Sequence, residues 1–345
     1  MMTKMTNPTH HQFPPSSELT SLLKTFSSIA EKTVNGLQAS ELLPAYTVED
    51  EDSIDFPVNS LVADSLETIK LKPAEHRVPV VACDMSTVKV GETVRGSVWA
   101  VRGSIVFREG DRVSAAVVGP FIYIISAYTA SEIVENLMTS LGVHRRSKFL
   151  EVSAAPKIVS NLFEKLLQLY AGTVAKGGLL LVDGALTAGP LDSPSTVVEK
   201  IVENAVNTGI GAVAFSKSTT LMLLGRNITT LAGHAPPPYV IKLSMIRDGT
   251  MVVRSANIYV ARLSFSQTSF RVDVASRTGD EQPLSLLLSS DKIVNGYPET
   301  LILAHQLAKL NKLDVLSIRT RLECLTKLKP IQNDVRRMLF TPLNG

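Results

Sequence analysis

Two short apolar runs in the chain each end in an aspartate, VPVVACD at 78–84 and LLLVD at 179–183. Runs of this length and composition predict buried strands. In open α/β sheets, ligands collect outside the carboxyl ends of the strands. If the two strands are neighbours, Asp84 and Asp183 converge on one spot. Glu164, on a helical stretch shortly before the second strand, offers a third carboxylate. Such an oxygen-rich set suits Mg²⁺ or Mn²⁺. Like charges crowded together also need a cation or a shared proton between them. Each acid taken alone reads as an ordinary strand-end or surface carboxylate; the matching endings of two strands are what make a metal site competitive. The chemistry of such a site is in-line attack of water on a phosphodiester, with two cations about 3.5–4 Å apart. Asp84 is then the ligand shared by both ions, and Asp183 and Glu164 complete their shells.

Further candidates lie downstream. In GYPETLILAH at 296–305, Pro298 predicts a helix start and places His305 two turns along. A lone histidine in an apolar run reads first as a satisfied core residue. The other five histidines have no zinc-ligand spacing with Cys83 or Cys324. Lys217 ends a third apolar strand, where it either neutralises a phosphate or simply meets solvent. Arg271 and Asp273 alternate with Val272 and Val274 and so share one strand face. They form an ion pair at the site or the solvent side of the sheet.

The elements that must carry these residues follow from periodicity. Residues 18–35 step their apolar positions by three and four (Leu19, Leu22, Leu23, Phe26, Ile29, Ala30), which predicts an amphipathic helix ending at Gly36. Its apolar face has two readings, cover for the core or a partner surface, and its place ahead of the chemistry-bearing segments favours the partner surface. An acidic run at 49–52 predicts an exposed loop. Strands are predicted at 78–84, 93–101, 104–107 and 121–126, with Arg102-Gly103 as a tight turn. Helices are predicted at 156–171 and 194–207, with strands at 179–183 and 210–215. A β-rich insertion follows at 236–275, then helices over 281–338. This order predicts an α/β fold with a mixed central sheet flanked by helices, a β insertion, and helical extensions at both ends.

The chain has 345 residues, 45% hydrophobic and 19% charged, with 20 Gly and 18 Pro, which excludes disordered, collagenous and disulfide-scaffold classes. Two cysteines fit a reducing, cytoplasmic compartment. The start has no apolar signal core, and the longest apolar stretch, at 115–128, is too short to span a membrane. Charge is uneven: residues 1–75 hold 5 basic and 11 acidic side chains, leaving 30 and 21 in the rest. The basic body suits a phosphate backbone, and from charge alone it reads equally as a solvated surface. The stretch 309–337, with 8 basic and 3 acidic side chains, carries the same two readings. The segments divide into a disordered leader at 1–16, a helical and acidic extension at 17–75, a core domain at 76–310, and a basic helical extension at 311–345.

Several ordered motifs make the chain resemble the NurA nuclease family. VACDMS at 81–86 is similar to that family's first aspartate motif, and LLLVDGAL at 179–186 to its strand-Asp-Gly-Ser-Leu motif. FSKS at 215–218 and ARLSFSQTSFRVDV at 261–274 resemble its strand-Ser-Lys segment and its paired Arg-bearing strands. GYPETLILAH matches its Gly-Tyr-Pro…Ala-His signature. Met85 stands where the family usually has Gly, and Ala185 where it usually has Ser. The resemblance implies an RNase H-like core over 76–310. It also implies a Mn²⁺-dependent (or Mg²⁺-dependent) DNA nuclease, with 5′-to-3′ exonuclease and single-strand endonuclease activity in DNA-end resection. The implied partners are a HerA-type hexameric ATPase and a second copy of the chain. By motif, Asp84 and Asp183 are metal ligands, with Glu164 as the helical ligand and Glu132, Glu135 and Glu151 as its rivals. Tyr297 and His305 form a late active-site pair: His305 ligates a metal or orients a water, and Tyr297 holds a phosphate or a water. Lys217 and Arg271 contact substrate. The rival readings are a non-catalytic subunit that binds DNA or docks the ATPase, and a nuclease acting on RNA.

Overall fold

The computed structural model describes residues 17–34, 41–44, 60–61, 67–93, 95–143, 152–186, 194–219, 221–223, 226–230, 236–243, 256–266, 268–279, 281–326 and 329–330. The leader at 1–16, the acidic run at 49–52 and Glu151 lie outside the described residues. In chain order the first elements are α1 (Ser17–Val34), β1 (Glu41–Pro44), β2 (Ser60–Leu61), β3 (Glu67–Lys70), β4 (Val80–Thr93), β5 (Gly96–Glu109) and β6 (Arg112–Ile125). They are followed by α2 (Ala130–Ser140), α3 (Ala155–Val174), β7 (Leu179–Asp183), α4 (Ser195–Thr208), β8 (Gly211–Ser216), β9 (Met222–Leu223) and β10 (Arg226–Asn227). The rest are β11 (Tyr239–Leu243), β12 (Asn257–Arg262), β13 (Phe270–Ser276), α5 (Gln282–Ser290), β14 (Ile293–Val294), β15 (Tyr297–Pro298), α6 (Glu299–Ala308), α7 (Lys312–Thr326) and β16 (Lys329–Pro330).

Eleven strands form one mixed sheet in the order β16-β1-β4-β7-β8-β13-β12-β11-β3, with β5 and β6 extending from the other edge of β4. The central strands β4, β7 and β8 are parallel. Helices cover both faces, so a central strand is apolar at every position rather than alternating. In β7, Leu180 and Val182 enter the core under α1, α2, α3 and α4, while Leu179 and Leu181 enter the one under α5 and α6. The α/β class read from the sequence is the architecture found.

Two local expectations are corrected. Arg102-Gly103 makes no turn: β5 runs through it as one strand, with the extra residue absorbed in a bulge against β6. The partner strands on both sides hold the chain extended there, which the local sequence does not report. For the helix α1 the structure takes the core reading over the favoured partner surface. Leu22, Phe26 and Ile29 are buried in the main core, and the Phe26 ring lies 4.6 Å from Phe163 and 5.3 Å from Phe121. Burying three such side chains stabilises the fold by roughly 1.5–3 kcal/mol each. The N-terminal strands join the same sheet, β3 against β11 and β1 against β4. Among the described residues no helix is long and apolar enough to cross a membrane.

Candidate active site

The parallel register sets Cys83 of β4 opposite Val182 of β7, and Asp183 opposite Phe215 of β8. Side chains alternate between faces, so Asp84, Asp183 and Lys217 all fall on the face covered by α6. The strand β4 continues past Asp84 for nine residues while β7 stops at Asp183. That step leaves the two carboxylates at an opening. Gly184 turns the chain away there with φ +115°, a conformation that favours glycine. Met85 needs no such freedom. It lies inside the extended β4, and its side chain packs on the main core. The Gly-to-Met departure therefore leaves the local backbone intact.

His305 reaches the same spot from α6. One ligand atom from each of Asp84, Asp183 and His305 lies within 4.8 Å of the other two. His305 Nδ1 and Asp84 Oδ2 are 2.7 Å apart, and the Met85 amide donates to Asp84 Oδ1 at 2.8 Å. The His305 side chain is 50% exposed, so it is not a core histidine. Burial, and after it the charge of Asp183, pushes the Asp84 carboxyl above its usual range; the bonds from Met85 and His305 oppose this in part. Lys217 Nζ sits 2.7 Å from Asp183 Oδ2 and 5.4 Å from the centre of the Tyr297 ring. Tyr297 is wedged between Phe215 and Phe270, with ring centres 5.5 and 5.2 Å away. Its hydroxyl is buried beside Asp183, short of a well-formed hydrogen bond. Burial, then the Asp183 charge, raises the phenol further, so it stays protonated and acts as a donor.

These donors fit a divalent cation. Two carboxylates and an imidazole converge, the carboxylates repel one another, and the Tyr297 hydroxyl lies buried beside Asp183.

A solved structure shares the architecture. The NurA nuclease from Sulfolobus solfataricus superposes with a TM-score of 0.50 at 16% identity, over 74% of this chain and 88% of that one. The chain has a NurA-like fold. Lesser likenesses are to a second NurA structure (TM-score 0.40, 9% identity, 73% and 90% covered) and to endonuclease V from Bacillus subtilis (TM-score 0.34, 12% identity, 74% and 88% covered). No protein-family model matches the sequence, and no curated protein does.

Within this NurA-like fold, Asp84, Asp183, Lys217, Tyr297 and His305 come together, and two residues singled out with them stand apart. Glu164 is half-buried on α3, across the sheet, and accepts a bond from Gln168 Nε2 at 2.5 Å. Its charge still reaches Cys83, whose thiol is pushed up by burial and then by Glu164, Asp84 and Asp183. The three acids thus act on the β4 segment at Cys83 from two sides. Glu132 and Glu135 are exposed on α2. Arg271 is buried, on the same face as α3 and α4, in a two-pronged pair with Asp273 at 2.7 and 2.8 Å. Asp273 Oδ2 also accepts the Leu186 amide at 2.9 Å, so the pair holds the segment that follows Asp183. The solvent-face alternative for these two residues is therefore overturned; packed helices close that side of the sheet.

Sequence reasoning missed what fixes α6. Arg102, Ser104 and Arg108 alternate along one face of β5 and grip the helix at three heights. Arg108 pairs with Asp291 at 3.0 Å and with Glu299. Asp291 in turn accepts the Thr300 amide at 3.2 Å and its hydroxyl at 2.5 Å. The Ser104 hydroxyl donates to the Ala304 carbonyl at 2.6 Å, and Arg102 bonds the Lys309 carbonyl and Asp314. Ser104 is also the sheet partner of Asp84. One rung of the ladder thus fixes both the strand bearing Asp84 and the helix bearing His305. The even spacing of polar residues in an otherwise apolar strand was the available signal. The turn before Tyr297 is an Asn295-Gly296 hairpin with φ +53° and +87°, the pairing that favours Asn-Gly. The helix α6 then begins at Glu299, one residue later than Pro298 alone predicts.

Proposed function

We propose that the chain is a divalent-metal-dependent nuclease that hydrolyses phosphodiester bonds in DNA. The convergence of Asp84 within β4, Asp183 at the end of β7 and His305 on α6 carries this reading. In it, those three residues hold Mn²⁺ or Mg²⁺, and Glu164 stays apart on α3, across the sheet. The bound ions supply Lewis-acid activation and neutralise charge at the scissile phosphate. Lys217 leaves Asp183 to meet a phosphate oxygen, and the Tyr297 hydroxyl donates a hydrogen bond to the phosphate or to the attacking water. Arg271 and Asp273 keep the Asp183 segment in place.

The finer assignment follows the sequence resemblance: cutting of single strands, 5′-to-3′ trimming of ends, and work in the cytoplasm as a dimer with a HerA-type ATPase in DNA-end resection. The deciding assay incubates the purified chain with end-labelled single-stranded DNA, duplex DNA and RNA, in Mn²⁺, Mg²⁺ or EDTA. Metal-dependent shortening of DNA, lost in Asp183→Asn, is the expected result. No cleavage of any substrate with either metal would overturn the proposal, and cleavage of RNA alone would replace its substrate.

A further inference from the structure

Phe265 is 81% exposed, although a phenyl ring in water forfeits most of what an aromatic side chain contributes to a fold. It sits in the segment between β12 and β13, and that segment is held in a set shape. Arg262 Nε donates to the Ser266 carbonyl at 3.0 Å, and Ser264 Oγ to Ser266 Oγ at 3.1 Å. The Ser266 hydroxyl donates to the Asn295 carbonyl at 3.0 Å. Asn295 is in the turn that presents Tyr297. The ring is thus carried on a segment tied directly to the wall of the candidate active site.

Its place in the sheet gives the direction. Val260 of β12 faces Arg271 of β13, Arg271 faces Ser216 of β8, and Phe215 faces Asp183 of β7. The connection from β12 to β13 therefore opens at the same end of the sheet as Asp183. It lies two to three strands away, roughly 12 Å at the usual strand spacing of about 4.8 Å. A nucleic-acid strand at about 3.4 Å per stacked residue covers that span in three to four nucleotides. Between the two points stands Lys217, 50% exposed, over the Tyr297 ring.

We propose that Phe265 is a base-stacking residue: a single strand runs from the Asp84–Asp183 site across the ends of β8 and β13, with a phosphate on Lys217 and an unpaired base on Phe265. This rests on the nuclease reading and names the substrate form that the same site takes. Stacking needs an exposed base face, which a paired base inside a duplex does not offer. It is indifferent to sequence, because every base has such a face. A prefixed aromatic also binds without the entropy of ordering a mobile one.

The test is fluorescence anisotropy of a labelled single-stranded DNA 15-mer and a blunt duplex of the same length. The full chain is used in EDTA at low salt, as wild type, Phe265→Ala and Phe265→Trp. Phe265→Ala is expected to weaken single-strand binding about 5- to 150-fold, the range of one lost stack, and to leave duplex binding and the melting temperature unchanged. Phe265→Trp is expected to keep wild-type affinity and to gain an indole emission that single strands quench. If wild type binds the strand and Phe265→Ala binds equally well, this inference fails and the nuclease reading stands. Equal losses for strand and duplex also overturn it, because a partner or backbone contact would act on both. If wild type binds no nucleic acid, this inference fails, and the nuclease reading is decided by the cleavage assay with metal.

Discussion

Replacing Arg271 with methionine separates two parts that the residue can play. The structure buries Arg271 against a fully buried Asp273 through two hydrogen bonds, and Asp273 also accepts the Leu186 amide. Removing only the cation leaves a carboxylate in the core without its counter-charge, a change that costs about 3–5 kcal/mol. At about 2 °C per kcal/mol for a chain of this size, Arg271→Met should melt roughly 6–10 °C below wild type. Replacing both partners, as Arg271→Met with Asp273→Leu, removes the buried charge entirely. Such swaps are often neutral in stability, so the double variant should recover most of the loss. It still lacks the acceptor for Leu186, so the segment after Asp183 is no longer held. Misplacement there should lower metal-dependent cleavage by on the order of ten- to a hundredfold. Calorimetry and a cleavage assay on the three proteins read both effects. An Arg271→Met protein with an unchanged melting temperature and a raised KM for DNA would put the guanidinium on the substrate and refute the reasoning. A double variant with full activity would refute the anchoring of the Asp183 segment.

Other changes test the site directly. Asp84→Asn should abolish cleavage, yet melt higher than wild type in EDTA at neutral pH. An acid whose folded pKa is raised lends its stability below the unfolded value and loses it as pH rises through the folded one. The gap between the two melting curves should therefore close as pH falls, and a gap that widens refutes the sign. Lys217→Met removes the ammonium that competes for Asp183. Mn²⁺ should then bind more tightly by calorimetry, while the salt dependence of single-strand binding falls by about 0.7 in log–log slope; weaker Mn²⁺ binding counts against the competition. Ser104→Ala deletes one buried hydrogen bond, about 1 kcal/mol. It should raise the Mn²⁺ concentration for half-maximal activity by loosening α6, and an unchanged half-saturation would show that the ladder does not set His305.

Much of this was legible in order along the chain. The run LLLVD became β7 with the same bounds, because four apolar residues can be satisfied only where both faces are covered. The stepped apolar positions of α1 and α3 gave their helices for the related reason that periodicity encodes which face is buried. The aspartates were visible because an ionisable group ending an apolar run is a local anomaly. Tertiary structure decided everything that depends on partners distant in sequence. The 102–103 dipeptide has turn composition, and only pairing with β4 and β6 holds it extended. An apolar helix face does not say what covers it, and Phe121 and Phe163 made that choice for α1. His305 looked like a core residue, and only the ladder on β5 turns it onto Asp84. Alternation put Arg271 and Asp273 on one face, but whether that face meets solvent or packed helices is a property of the layers. Residue type and spacing carry the periodic and the locally odd; a site is made by charges and hydrogen bonds between segments some two hundred residues apart in the chain, and only the folded sheet brings those together.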